Sequence, residues 1–207
     1  MSEAVIGLIG VIVGAAITVG FESWKDWRTR KRNARYLAIR LVSFIDRYVQ
    51  GCVEVTGDSG SPMESDEDYH PEDYSPAEYP VFDVHSLDVD WKSIDPNLMY
   101  DVLSFPNQID AANRIIAEEA RCNPAEIEIN LERRYQYTIL GLTISKVADK
   151  LRREYQIPQR DTEAYNPIEY LIKYRDDLGA EKKRLSNTWE NGPFGTKKDD
   201  NINEDKI

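Results

Sequence analysis

The 207-residue sequence has little of the material from which most catalytic and metal sites are built. Its two cysteines, Cys52 and Cys122, lie far apart and form no Cys-x-x-Cys pair, which excludes a disulfide framework and a zinc site of the usual spacing. His70 and His85 are the only histidines. A Gly-rich loop ending in Gly-Lys-Ser or Gly-Lys-Thr, a His-Glu-x-x-His motif and a Gly-x-Ser-x-Gly motif are all absent. We therefore predict a protein that is not an enzyme, with no catalytic, metal-binding or cofactor-binding residues and no cofactor.

An overall positive charge is also lacking, because 26 Lys and Arg stand against 37 Asp and Glu, for a net charge of −11. This balance argues against binding to the phosphate backbone, so we expect no nucleic-acid partner. The charges are nevertheless divided into blocks. Residues 22–40 contain seven basic and two acidic residues, whereas residues 57–80 contain eight acidic and no basic ones. Such blocks are typical of solvated or interacting segments.

One long stretch is free of charge, residues 4–21, with the sequence AVIGLIGVIVGAAITVGF. As a helix it would measure about 27 Å, close to the hydrocarbon thickness of about 30 Å. We predict a single transmembrane helix over residues 4–21. A cleaved signal peptide is disfavoured because no basic residue precedes the run. A buried core helix is disfavoured because two tryptophans and a basic cluster follow at once.

The basic juxtamembrane segment, residues 22–35, has the composition of a membrane–water interface. Tryptophans prefer this interface, and long basic side chains reach headgroups from it. The predicted membrane-surface residues are Trp24, Lys25, Trp27, Arg28, Arg30, Lys31, Arg32 and Arg35. The lipid bilayer is thus the first expected partner. The positive-inside rule predicts a single-pass protein of the cell (inner) membrane, with its N-terminus outside and its C-terminal domain in the cytoplasm.

Small residues recur along one face of the predicted span, at Gly10, Gly14 and Thr18. Helices in lipid associate through such faces, because close packing rather than hydrophobicity holds them together there. The spacing therefore indicates a homo-oligomer formed through the membrane helix. The alternative is a lone anchor in which the small residues have no role.

The remaining sequence predicts an all-α cytosolic bundle of about four helices, built from residues 33–56 and 95–189. No breaker separates residues 33–56 from the span, so the helix is expected to continue through the basic segment. Apolar residues recur at three- and four-residue steps and include Ile39 and Ile45, Ile127 and Leu131, and Leu171 and Ile172. Pro106 is expected to kink or restart its helix. Asp95, Asn123 and Asn166 each precede a proline and are predicted N-caps, the last two in a capping box with Glu126 and Glu169.

Three further segments are assigned from their composition and pattern. Residues 81–94 are predicted to run extended along the bundle, with His85 packed or capping. Paired arginines at 133–134 and 152–153 could hold an anion, but pairing with nearby acids is the more usual role of helical arginines. The polar tail, residues 190–207, is predicted to be disordered.

The acidic segment, residues 57–80, is predicted to be a disordered loop, because it has too few apolar side chains to offset the entropy of ordering. Tyr69, Tyr74 and Tyr79 recur in it every five residues, each beside an acid and followed within two residues by a proline. This repeat is a candidate motif for an unknown protein partner. The alternative, which the composition favours, is a solvated loop whose tyrosines lie against the bundle.

Together these features predict a non-enzymatic, single-pass membrane-anchored protein whose cytosolic helical domain recruits or scaffolds a protein partner at the membrane. The alternative is an oligomerising, membrane-permeabilising effector of the holin kind. In that case the small-residue face would assemble several spans. No charged or polar side chain in residues 4–21, apart from the Thr18 hydroxyl, could line a wet pore.

Overall fold

A computed structural model describes residues 2–60, 76–122, 126–159 and 165–190, and within these it leaves out the side chains of residues 2–13, 15, 16 and 188–190. The described chain forms four α-helices and no β-strand. They are α1 (Ser2–Gly57), α2 (Pro96–Cys122), α3 (Glu126–Tyr155) and α4 (Pro167–Glu190). The predicted all-α helical bundle is therefore confirmed. The predicted tail from residue 191 onward lies outside the described residues.

Helix α1 is the longest element, with 56 residues and a length of about 84 Å. It continues without interruption from the uncharged run through the basic segment and into the bundle. No proline occurs anywhere in it, and no glycine occurs between residues 21 and 50. The chain between the two parts therefore contains none of the residues that usually end or kink a helix.

Helix α3 is the central helix of the bundle and contacts α1, α2 and α4. Near its C-terminal end Arg152 pairs with Asp46 of α1, and near its N-terminal end Arg133 pairs with Asp58, which follows α1. Helix α3 is therefore antiparallel to α1. Helices α2 and α4 are also antiparallel to α3. The contacts that show this are Lys150–Asp101 and Tyr137–Asn113 for α2, and Gly141–Leu171 and Glu132–Lys182 for α4. Three parallel helices thus surround one antiparallel helix.

The connection between α1 and α2 contributes Phe82 to the core. Its ring lies 5.0 Å from that of Phe44, 5.1 Å from that of Tyr48 and 4.9 Å from that of Phe105, measured between centroids. Edge-to-face aromatic pairs at such distances stabilise beyond the area that they bury. Phe82 therefore joins α1 to α2, and the connecting segment is part of the folded domain.

Two of the three predicted helix caps lie in the described residues, and both are confirmed. A side-chain oxygen of Asp95 accepts hydrogen bonds from the backbone N–H of Asn97 and Leu98, at 2.9 and 3.2 Å. The Asn166 side chain accepts one from Ile168 at 3.0 Å, and its amide donates to the Glu169 carboxylate at 2.8 Å. Glu169 thus bonds to the cap side chain, whereas in a capping box it would bond to the cap backbone. Asn123 lies outside the described residues.

The structure corrects several details of the predicted bundle. Helix α2 includes Pro106 and does not restart there. Ile39, Ile127 and Ile172 are exposed, although the helical periodicity assigned them to apolar faces. Residues 81–94, predicted to be extended, contain two short 3₁₀ turns, Val84–Ser86 and Trp91–Ser93, and so are not extended throughout. His85 is exposed, so of the two predicted roles, packed or capping, the packed one is wrong.

Candidate functional site: an exposed stalk and a clamped acidic segment

Residues 17–33 of α1, which we call the stalk, pack against no other part of the described chain. Every side chain from Ile17 to Asn33 is exposed, and the first buried residue is Ala34. The exposed set includes the large apolar residues Ile17, Val19, Phe21, Trp24 and Trp27. Exposed apolar side chains are unremarkable when scattered, but a contiguous group of this kind marks an interaction surface.

The stalk contains five basic and two acidic residues, and Arg35 follows just beyond it. Among the described residues, none of Lys25, Arg28, Arg30, Lys31, Arg32 and Arg35 forms an ion pair with a carboxylate. Two of them lie over tryptophan rings one turn earlier in the helix. The Arg28 guanidinium is 5.4 Å from the Trp24 ring centroid, and the Lys31 ammonium is 5.4 Å from that of Trp27. These are cation–π contacts that direct both cations towards the N-terminus of α1.

The predicted helix-association residues lie at the free end of α1. Gly14 and Thr18 are exposed, and a Cβ added to Gly14 would meet no atom within 4 Å. The Thr18 hydroxyl donates to the Gly14 carbonyl oxygen at 3.0 Å, which is the usual local bond of a helical threonine. Gly10 lies among the side chains left out of the description. The small-residue face is therefore open, and its role in association stays a prediction.

Most of the predicted transmembrane run falls on residues whose side chains are outside the description. Within the part of the chain that the structure describes, no helix has a stretch both long enough and apolar enough to cross a bilayer.

At the other end of α1, Asp58 ties both ends of the acidic segment together. Its Oδ1 accepts a hydrogen bond from the backbone N–H of Gly60 at 3.0 Å. Its Oδ2 accepts one from the backbone N–H of Ala77 at 2.8 Å and one from the Arg133 guanidinium at 2.5 Å. Asp58 and Arg133 are both nearly buried, where charge-assisted bonds are strongest. We call this arrangement the clamp.

The candidate partner motif is only partly described. Tyr79 stacks on Tyr137 of α3, with ring centroids 4.8 Å apart and planes 15° from parallel, and it remains half-exposed. Pro80 packs against α1 at Gly51, where an added Cβ would lie 2.6 Å from the Pro80 Cβ. Tyr69 and Tyr74 lie outside the described residues. Tyr79 thus lies against the bundle, which is the arrangement that the composition favoured.

Sequence reasoning missed the charged contacts that hold the bundle together. Arg152 donates two hydrogen bonds to the Asp46 carboxylate, at 2.7 and 2.6 Å, and its side chain is only 8% exposed. Lys182 of α4 pairs with the buried Glu132 of α3. The two partners of each pair are far apart in sequence, so no local spacing could have revealed them. Pairing with a nearby acid is confirmed for Arg152, which also contacts Asp149, whereas Arg133 pairs with the distant Asp58.

Arg134 caps the C-terminal end of α1. Its Nε donates to the Thr56 carbonyl oxygen at 2.8 Å, and its guanidinium lies 6.0 Å from the Tyr174 ring centroid. The Thr56 and Thr138 hydroxyls are hydrogen-bonded to each other at 2.9 Å in the buried space alongside. These contacts satisfy polar groups at a helix end that is covered by α3 and α4.

Two tyrosines and a cysteine of the core are held neutral by their surroundings. Burial raises the pKa of the Tyr48 hydroxyl, the Cys52 thiol and the Tyr137 hydroxyl. Cys122 is exposed, and its hydrogen bond to the Glu118 carboxylate raises the pKa of its thiol. A raised pKa lowers the thiolate fraction, so neither cysteine has the environment of an activated nucleophile.

A cleft of about 380 Å³ lies between α1, α3 and the start of α4. Its charged lining consists of Asp46, Asp149 and Arg152, and Arg152 pairs with both aspartates. In the described part of the chain no group of three His, Cys, Asp or Glu residues is arranged to hold a metal ion.

Comparison with protein-family models, with curated proteins and with solved structures found no match.

Proposed function

We propose that the protein is a non-enzymatic membrane-anchored module. Residues 4–21 cross the cell membrane once, the stalk emerges on the cytoplasmic side, and the helical bundle recruits or scaffolds a protein partner there. The observation that carries this proposal is the division of α1 into two environments. From Ala34 onward one side of the helix is buried in the bundle, whereas before that residue the helix exposes large apolar side chains, from Ile17 to Trp27.

The apolar end of the stalk supports insertion into lipid because nothing in the described chain covers it. Ile17, Val19 and Phe21 are each more than 60% exposed. In the sequence they continue directly into the uncharged residues from Ala4 onward. Burying such side chains in hydrocarbon is favourable by about 1.5–3 kcal/mol each. The order of apolar residues, tryptophans and cations along the helix is that of a membrane-spanning segment and its cytoplasmic interface.

The recruiting role rests on where the clamp holds the acidic segment. Gly57 lies about 54 Å beyond Phe21 along the axis of α1, so the clamp is far from the proposed bilayer surface. Asp58, Ala77 and Arg133 fix the two ends of a segment of like charge on a rigid bundle. A charged segment presented in this way is suited to binding a protein of opposite charge.

Fractionation tests the anchor directly. The full-length protein should remain with membranes after alkaline carbonate extraction, whereas a variant lacking residues 1–32 should be soluble and keep its helical content. A full-length variant with Ile17→Arg and Val19→Arg should also lose carbonate resistance, because charge is costly in hydrocarbon. Recovery of the full-length protein in the soluble fraction would overturn the proposal.

Exchanging the anchor for an unrelated span distinguishes the two possible functions, a recruiting module and a permeabilising effector. Residues 4–21 are replaced by an uncharged leucine-rich span of the same length without glycine. A module should keep its membrane location and its set of co-purifying proteins, because the bundle and the clamp are unchanged. An effector that acts through the small-residue face should depolarise cells in its natural form and lose that activity on exchange.

A further inference from the structure

We infer that the stalk binds anionic phospholipid headgroups on the leaflet that faces the bundle. The inference rests on the proposed anchor and adds the class of lipid that the anchor prefers. It uses the six stalk-region cations, which are exposed and have no ion pair among the described residues.

The acidic segment of the same chain cannot reach the cations nearest the uncharged run, Lys25 and Arg28. Arg28 lies about 44 Å from Gly57 along the axis of α1. Because the clamp ties Asp58 to Ala77, the chain between them can extend no more than about 30 Å from the clamp, even when fully drawn out. A neighbouring copy in the same membrane carries its acidic segment at the same height and meets the same limit. Within the stalk itself Glu22 and Asp26 stand against five basic residues, so three positive charges remain in excess. The counter-charge for this excess next to the uncharged run must come from another source.

The heights of the cations above the apolar end of the stalk match a lipid surface. Measured along the helix from Phe21, Lys25 lies at about 6 Å, Arg28 at about 11 Å and Arg32 at about 17 Å. A headgroup layer is about 5–8 Å thick, and charges are screened over about 8–10 Å. Lys25 to Arg32 thus lie within or just above the headgroups, whereas Arg47 lies at about 39 Å.

The two cation–π contacts bring charge still nearer to the lipid. Arg28 and Lys31 each reach back over a tryptophan one turn closer to the uncharged run. One helical turn is about 5.4 Å, so both cations lie closer to the membrane than their own backbone does. A tryptophan ring at the interface with a cation on its face offers both an apolar and a charged contact to one phospholipid.

The test is flotation of the full-length protein, diluted from mild detergent, with two kinds of vesicle. One contains phosphatidylcholine alone, and the other contains phosphatidylcholine with phosphatidylserine. We expect binding to both, with a clear preference for the anionic vesicles that falls as salt is raised. Each cation near the surface should contribute about five-fold. Replacing Arg28, Arg30 and Lys31 with Gln should therefore reduce the preference by about 100-fold and leave binding to phosphatidylcholine unchanged.

A control variant removes the same number of charges from the exposed surface of the bundle, by replacing Arg47, Lys146 and Arg153 with Gln. It should keep the full preference, and circular dichroism should show both variants folded. An equal loss in the control would overturn the inference, because net charge alone would then explain the preference. No preference in the natural protein would overturn it too, while leaving the anchor intact.

Two further outcomes show whether the cations bind lipid or a soluble anion, and whether the anchor itself has failed. Inorganic phosphate should lower the preference no more than chloride of equal ionic strength does, and a much larger effect of phosphate would assign the cations to a soluble anion. A protein that floats with neither vesicle would overturn the proposed anchor together with the inference.

Discussion

The two parts of α1 have similar apolar side chains in opposite environments. Ile45 is completely buried against the other helices, whereas Ile17, on the same helix, is 67% exposed. Around Ile45 the charges are paired, as in the contact between Asp46 and Arg152, and around the stalk they are not. The apolar residues of the bundle therefore have partners within the chain, and those of the stalk require partners outside it. Helix formation alone does not distinguish the two parts.

The largest expected effect on stability comes from replacing an isoleucine by alanine in the bundle part of α1, compared with the same change in the stalk. Ile45→Ala should lower the free energy of unfolding of the bundle by about 2–5 kcal/mol, because it removes apolar contacts and leaves a cavity. Ile17→Ala should change it by less than about 0.5 kcal/mol. Urea unfolding of the detergent-solubilised full-length protein measures both, with the labelling rate of the buried Cys52 as the signal in a Cys122→Ser background. Equal destabilisation by the two changes would mean that the stalk is covered by the protein itself.

The second comparison concerns charges. Asp46→Ala leaves the Arg152 guanidinium buried without its main carboxylate, and we expect it to cost about 1–3 kcal/mol. The value is lower than for a fully buried pair because Asp46 is 31% exposed. Arg30→Ala removes a cation that has no ion pair in the described residues and should leave bundle stability unchanged. The same urea assay applies, and a cost of Asp46→Ala close to zero would show that the pair contributes nothing.

Glycine-to-alanine substitutions should have opposite effects on stability in the bundle and near the N-terminal end of α1. A Cβ at Gly141 would lie 2.8 Å from the Leu171 Cδ1 and 3.0 Å from the Cys52 Cβ, so Gly141→Ala should destabilise the bundle by about 1 kcal/mol. A Cβ at Gly14 meets no atom within 4 Å, so Gly14→Ala should only gain the helix propensity of alanine. Thermal unfolding followed by circular dichroism records both. A stabilised Gly141→Ala variant would contradict the close contact of α3 with α1 and α4.

The smallest expected effect concerns the two thiols. Cys122 should react readily with a maleimide in the folded protein, while Cys52 should react only on unfolding. Because the hydrogen bond to Glu118 raises the pKa of the Cys122 thiol, less thiolate is present at a given pH, and labelling is slower than for a free thiol. Glu118→Gln should therefore shift the pH profile of labelling to lower pH. An unchanged profile would show that the hydrogen bond is absent in solution.

The features of the fold that the sequence predicted are the ones set by local chemistry. Asp95 and Asn166 cap helices because a short polar side chain before a proline favours that geometry wherever it occurs. The continuation of α1 through the basic segment follows from the lack of any residue that breaks a helix. Such features depend on a few neighbouring residues, and these can be read directly.

The features that could not be predicted depend on which helices meet. Ile39 and Ile45 have the same side chain on one helix, yet α3 and its neighbours cover only the second. The clamp joins Asp58 to an arginine 75 positions later, and such a pair is selected by packing rather than by spacing. Pro106 lies inside α2 because tertiary contacts on both sides, such as those of Phe105 and Ile116, hold the helix together across the missing hydrogen bond.

Because α1 is unbroken, the rotation of the bundle about the axis of α1 is fixed relative to the N-terminal part of the same helix. With no hinge between Phe21 and Ala34, the direction in which the clamp faces is set by the number of residues in the stalk. One inserted residue would turn the bundle by about 100° and raise it by about 1.5 Å, whereas seven would turn it by only about 20° and raise it by about 10 Å. The azimuth and the height of the bundle can therefore be altered independently through the length of a single helix.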